Sequence, residues 1–336
     1  MYRLLAGLLC LLLTACGSGD SWDPSAFAPA GEDRLVIYTS HPESVYGPLV
    51  KEFEERTGLW VQVETGGTTA LLDRLAEEAD APKCDLLFGG GADSLTASSG
   101  LFEPYITSLA DEIDPACRCA DGSWTPFSVF PVVLVYNPVL VRMNPPEGWE
   151  SLLNPVWRGR IAFASPAVSG CSYTALAAMA QILPQEDVLE AFYRNLDGKV
   201  LPEIDSVVDE VAATVTAVAE GSCTIGITAE SAALEAIRAG RDLAVVYPAE
   251  GTCASTDGMA VIRGCAHPEN ARRFIDFAVG ADAQAYMART CMRRPVRTDL
   301  ARETEEGLVL MDYDLDRAAS EREEILARWK ALEEAS

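Results

Sequence analysis

Short apolar runs alternate with amphipathic stretches from residue 34 onward. Residues 34–38 form a compact apolar run and read as a strand. From Ser44 to Thr57, Val45, Leu49, Val50 and Phe53 recur at helical spacing, and Gly58 stands where a helix stop belongs. A second strand follows over 59–64. Leu71, Leu72, Leu75, Ala76 and Ala79 mark a second helix. Residues 84–88 read as a third strand, and a short helix starts at Ala92. This order requires helical crossovers and therefore a mostly parallel sheet. Three turns, at 39–43, 65–69 and 89–91, fall at the carboxyl ends of these strands, the edge where open α/β sheets bind ligands.

The alternation breaks at 123–138, an apolar, proline-punctuated run that predicts a long extended crossover. It restarts with a strand at 160–164, a loop at 165–170 and an Ala/Leu-rich helix from Cys171. Helices follow over 206–220 and 231–239, and strands over 223–227, 242–247 and 258–263. Helices at 269–279, 281–289 and 317–334 close the chain and are expected to complete the first lobe. The domain reading is thus a first lobe beginning at 32–126, a crossover and second lobe over 127–247, and a return to the first lobe over 248–336.

Before that body, residues 1–15 carry Arg3 and an apolar run that is too short to span a bilayer, as a secretory signal does. Leu13-Thr14-Ala15-Cys16-Gly17 resembles the lipobox of bacterial lipoproteins, which implies lipidation of Cys16. Residues 16–31 then read as a flexible tether. The expected location is outside the cell membrane and anchored to it. The 336 residues exceed the usual size of one core, in keeping with two lobes. Fifty-one acids against 26 bases give −25, and loss of Arg3 with the signal makes it −26. That balance excludes a nucleic-acid partner, which would need a basic face. Eight cysteines remain after Cys10 and Cys16 are set aside. They permit up to four disulfides with no assignable pairing, or free thiols. No zinc site is expected from Cys117-Arg118-Cys119, because structural zinc wants four ligands.

The candidate chemistry lies at the strand ends. Ser169-Gly170-Cys171-Ser172 opens a helix, whose free N–H groups and positive dipole end suit an oxyanion. Ser40, Thr68 and Thr69 offer hydroxyls at similar junctions in the first lobe, and plain helix capping is the alternative for all of them. His41 can donate to an anion or sit as a solvated turn histidine. Asp205 is a ligand acceptor or an N-cap.

Several segments taken in order carry a resemblance. They include VIYTSHPESVYGPLVKEFEERTG, GGTTALLDRLAEEADAPKCDLLFGGGADSL, GWESLLNPVWRGRIAFASPAVSGCSY, AEGSCTIGIT and HPENARRFIDFAVGADAQ. Together they are similar to bacterial extracellular solute-binding proteins of ABC importers, in the branch that takes ferric iron and phosphorylated solutes. The resemblance implies the two-lobed type II periplasmic-binding-protein fold, an α/β fold with a cleft between lobes and a two-strand hinge. It implies a monomer that delivers a small solute to a permease and its ATPase, with no cofactor. Ferric relatives match His41 and carry adjacent tyrosines at a loop that here reads Thr228-Ala229-Glu230-Ser231. That departure points away from iron, and Glu230 is expected to accept from a hydroxyl or amine of an organic solute. Sugar phosphates and aminoalkylphosphonates are the leading class. Iron, then a polyamine, are the alternatives. An exported hydrolase ranks last, since G-x-S-x-G, G-x-x-x-x-G-K-[ST] and H-E-x-x-H are all absent. The chain is therefore expected not to be an enzyme.

Overall fold

The computed structural model describes residues 31–184, 187–197, 200–201, 207–300 and 308–335. The signal segment, Cys16, nearly all of the tether and Asp205 lie outside the described residues.

The strands are β1 (Arg34–Thr39), β2 (Trp60–Thr65), β3 (Leu86–Gly91), β4 (Phe102–Glu103), β5 (Thr125–Tyr136), β6 (Ile161–Ala164), β7 (Val200–Leu201), β8 (Ile225–Ala229), β9 (Ala244–Val246), β10 (Ala254–Ile262) and β11 (Arg294–Pro295). The α-helices are α1 (Glu43–Thr57), α2 (Thr68–Glu77), α3 (Ala92–Ala97), α4 (Gly170–Ile182), α5 (Val188–Leu196), α6 (Val207–Ala219), α7 (Glu230–Arg238), α8 (Pro268–Ala278), α9 (Ala281–Thr290), α10 (Leu315–Ser320) and α11 (Arg322–Glu334).

In the first lobe β1 pairs in parallel with β2 and β3, as the alternating pattern requires. Helix α1 buries Val45, Leu49 and Phe53, and ends at Gly58, whose φ of 72° only glycine adopts easily. Strand β10 joins antiparallel to β3 and begins at Ala254, four residues before the apolar run that predicted it. The extra residues Ala254–Asp257 pair with β5 and need no apolar alternation of their own.

The hinge is visible in the pairings of β5. Its first half, through Pro131, pairs with β10. Its second half, from Val132, pairs with β8 and β9 in the other lobe. The return segment runs beside it, where Val132 N donates to Cys253 O at 3.2 Å. Each lobe has its own core. Leu35, Phe53, Phe88, Phe127 and Phe274 lie in one, and Leu134, Trp149, Phe163, Phe192 and Ile227 in the other.

One expectation is corrected here. Helices α8 and α9 do join the first lobe, but α11 packs into the second. Its Trp329 is fully buried against Phe163 and Phe192 and meets Tyr193 edge-on at 5.1 Å. The sequence reads this stretch as a charged helix, and neither its buried Trp329 face nor the partner of that face is legible there. Trp329→Ala should leave a large cavity and cost about 3–5 kcal/mol, read by urea unfolding. A loss under about 1 kcal/mol would mean that α11 is not part of this core.

Candidate functional site

The strand ends of both lobes meet around a cavity of about 450 Å³. On the first lobe, Thr39 Oγ1 donates to Phe88 O at 2.6 Å and His41 N donates to Thr39 Oγ1 at 3.1 Å. These bonds fasten the loop after β1 to the end of β3. Beneath the loop lies Gly89, with φ of +119°, and a Cβ there would fall 2.4 Å from Ser40 Oγ. The glycine run thus makes room for Ser40 and His41 to sit directly on it.

Four helices begin at this cavity. Helix α1 follows Pro42, α2 follows Gly67 and α7 follows Ala229, and none of these three has a side-chain cap. Helix α4 is capped by Ser169, whose Oγ accepts from Ser172 N at 3.3 Å. The α4 start reaches across to the other lobe, where a Cβ on Gly170 would lie 3.5 Å from Thr68 Oγ1. Close by, Thr174 Oγ1 donates to the buried Asp93 carboxylate at 2.7 Å, and the lobes are in contact over α4. Ser44, Thr68, Gly170, Cys171 and Ser231, all from the first turns of these helices, line the space. Helix starts carry unpaired N–H groups and partial positive charge. Four of them directed at one volume make it attractive to an anion.

Charged side chains stand behind this edge. Arg293 Nη1 donates to Asp257 Oδ2 at 2.6 Å and to Ser128 Oγ at 3.0 Å. Burial raises the Asp257 carboxyl from 3.8 to about 6, while Arg293 pulls the other way. His41 Nε2 lies 3.3 Å from Asp257 Oδ2, yet this is not an ion pair. Burial and the neighbouring Arg293 hold the ring neutral, with a pKa well below 6.5. His41 Nε2 and Asp257 Oδ1 have no hydrogen-bond partner, although both residues are 3% exposed. Both residues line the cavity.

These shifts give opposite pH slopes. His41 contributes stability that is present above 6.5 and lost as pH falls, because only the unfolded chain protonates it readily. Asp257 contributes stability that is present below 3.8 and lost as pH rises through about 6. His41→Asn should therefore gain stability relative to the parent on acidification from roughly pH 7 to 5, by up to about 1.4 kcal/mol per pH unit. Parallel urea-unfolding curves for the two proteins would show that the ring is not held neutral.

The structure brings Ser40, His41, Thr68, Ser169, Gly170 and Cys171 together around the cavity. It does not place Thr69, Ser172 or Glu230 in the cavity lining. Thr69 Oγ1 accepts from Arg322 at 3.0 Å, on the side of α2 that faces the C-terminal helix. Ser172 is buried beside the site, its N–H held by Ser169. Glu230 is corrected more fully. Arg294 grips both its oxygens at 2.8 Å, and the Tyr247 hydroxyl donates to it as well. With both oxygens held, it is not among the residues that line the cavity. Arg293 and Asp257 were missed. The only trace in the sequence was a pair of adjacent arginines in a strongly acidic chain.

Cysteine chemistry adds little to the site. No disulfide joins the eight cysteines of the described residues. Burial pushes the Cys171 thiol up to about 12, so it is not a thiolate near neutral pH. Among the described residues no group of three or more His, Cys, Asp or Glu is placed to hold a metal ion. Among them, too, no helix is long and apolar enough to cross a membrane.

The profile of the bacterial extracellular solute-binding protein family matches residues 77–321. The chain belongs to this family. The iron uptake protein A1 of Synechocystis sp. is 25% identical over 300 residues, covering 85% of this chain and 81% of that protein. A periplasmic protein of Salmonella typhimurium, provisionally named for binding 2-aminoethylphosphonate, is 21% identical over 88% of this chain and 86% of its own. Among solved structures, the periplasmic binding protein AfuA of Actinobacillus pleuropneumoniae, with fructose-6-phosphate bound, superposes with a TM-score of 0.81. It covers 92% of this chain and 100% of its own at 24% identity, which shows the fold. The fold is the two-lobed type II periplasmic-binding-protein fold. The chain is an extracellular or periplasmic solute-binding protein and not an enzyme.

Proposed function

We propose that this protein is the substrate-binding component of an ABC importer and that its solute carries a phosphate or phosphonate group. The observation that carries the reading is the convergence of four helix starts on one cavity, with Arg293 beside them. The family membership and the relatives named for uptake support the importer role. In such a component, binding energy comes from groups on two lobes that meet when the cleft closes.

Ferric iron is the second reading, favoured by the unpartnered His41 Nε2 and by the iron-named relative. The donor set opposes it. Iron(III) wants several anionic oxygens, but Asp257 is already paired with Arg293 and Glu230 is held by Arg294. A thermal-shift panel tests the choice. It should contain hexose phosphates, 2-aminoethylphosphonate, inorganic phosphate, polyamines and ferric iron with a small anion. A solute at 100 times its Kd should stabilise the fold by about 2.7 kcal/mol. A shift with a phosphate or phosphonate supports the reading. A shift with ferric iron alone, or with a polyamine alone, would overturn it.

The same reading places the protein on the membrane through a lipid on Cys16, supported by Leu13-Thr14-Ala15-Cys16 after the apolar run. Cys16→Ser should move the protein out of the membrane fraction or leave it unprocessed. A mature N-terminus elsewhere that carries no lipid would contradict it.

A further inference from the structure

We infer that the solute carries an apolar body beside its oxyanion, and that α6 and α7 receive that body. The inference rests on the oxyanion reading above and narrows it. Ala212, Val215 and Ala219 lie on one face of α6, and Ala232 and Ala236 on one face of α7, with Ala239 just past its end. Their spacings of three to four residues put each set on a single stripe. Both stripes look into the same cavity as the helix starts. Three polar side chains, Thr216, Glu235 and Arg241, line the cavity on this side as well.

A second observation concerns the buried groups of the lining. His41 Nε2 and Asp257 Oδ1 are buried, unpartnered and part of the cavity lining. The buried polar groups of the lining therefore include these two, while the α6–α7 wall carries six hydrocarbon side chains beside Thr216, Glu235 and Arg241. A hexose phosphate filling this volume would press several ring hydroxyls against Ala and Val side chains, with only Thr216, Glu235 and Arg241 on that side to partner them. A solute with a ring or short alkyl group would cover the same wall with no stranded hydroxyl. Cavities that bind small molecules usually combine a mostly apolar lining with a few placed polar groups.

Calorimetric titration with four probes tests this: inorganic phosphate, methylphosphonate, phenylphosphonate and glucose 6-phosphate. Phenylphosphonate should bind at least about tenfold tighter than methylphosphonate, since even one methylene in an apolar pocket is worth that much. Glucose 6-phosphate should bind no tighter than methylphosphonate. Ala232→Leu and, separately, Ala236→Leu should weaken phenylphosphonate by about tenfold or more and methylphosphonate by clearly less. Thermal melting would establish that each variant is folded. Glucose 6-phosphate matching phenylphosphonate, or leucine variants weakening both phosphonates equally, would overturn the inference while leaving the oxyanion reading in place. Failure of all four probes to bind would remove the oxyanion reading and this inference with it.

Discussion

Arg293→Met should weaken binding of a phosphate or phosphonate by roughly 10- to 100-fold, the effect of removing a charge-assisted hydrogen bond. Asp257→Asn should not weaken it and should strengthen it modestly. The two residues form one pair at 2.6 Å, so opposite signs from its two halves are informative. For an anion, Arg293 is the attractive member and Asp257 offsets it. For ferric iron or a polyamine the signs reverse, with Asp257 attractive and Arg293 repulsive. Stability should respond differently from affinity. Removing Arg293 strands the Asp257 carboxylate, which is 3% exposed, and breaking such a buried pair costs about 3–5 kcal/mol. The stranded carboxyl should then titrate above its present value of about 6, because Arg293 is what holds it down. Calorimetry on both variants, with urea unfolding alongside, separates these effects. Equal losses of affinity from both substitutions would show that the pair serves structure and not charge selection.

Gly89→Ala should be the most damaging small substitution in the site. The added Cβ would lie 2.4 Å from Ser40 Oγ and 3.4 Å from His41 Nε2, at a φ of +119° that L-residues rarely adopt. Backbone strain of this kind costs about 1–3 kcal/mol. The clash must also displace Ser40, so solute affinity should fall by about tenfold or more, as when a buried hydrogen bond to the solute is broken. Gly264→Ala is the control. Its φ is +73°, but a Cβ there meets nothing within 4 Å. That variant should lose about 1–2 kcal/mol of stability and no affinity. If Gly89→Ala bound as tightly as the parent, the loop after β1 would not be part of the site.

Much of this architecture was legible because its signals are local. The stripe Val45, Leu49 and Phe53 forms the buried face of α1, and Gly58 ends that helix. The glycines at 89–91 and the helix start at 169–172 fall at strand ends because the βα alternation puts them there. What was not legible depends on distant partners. Glu230 stands at the junction of β8 and α7, near the expected turn, but Arg294 claims it from 64 positions along the chain. Thr69 is turned to Arg322, 253 positions away. Helix α5 was not read from the sequence, although it buries Val188, Leu189, Phe192 and Leu196. The pairing of Arg293 with Asp257 brings together a residue after a helix and a residue in a hinge-adjacent strand, with no shared motif.

The central claim is that an oxyanion rests on helix starts contributed by both lobes. Amide chemical shifts of the isotopically labelled protein, followed during titration with a phosphonate, test it most directly. The account predicts that the backbone amides of Ser44, Thr68, Gly170, Cys171 and Ser231, which line the cavity at the four helix starts, move together and saturate at one stoichiometry. The shift of Thr68 and Gly170 in the same step would report both lobes on one ligand. Saturable binding that leaves these amides unmoved, or movement confined to one lobe, would contradict it.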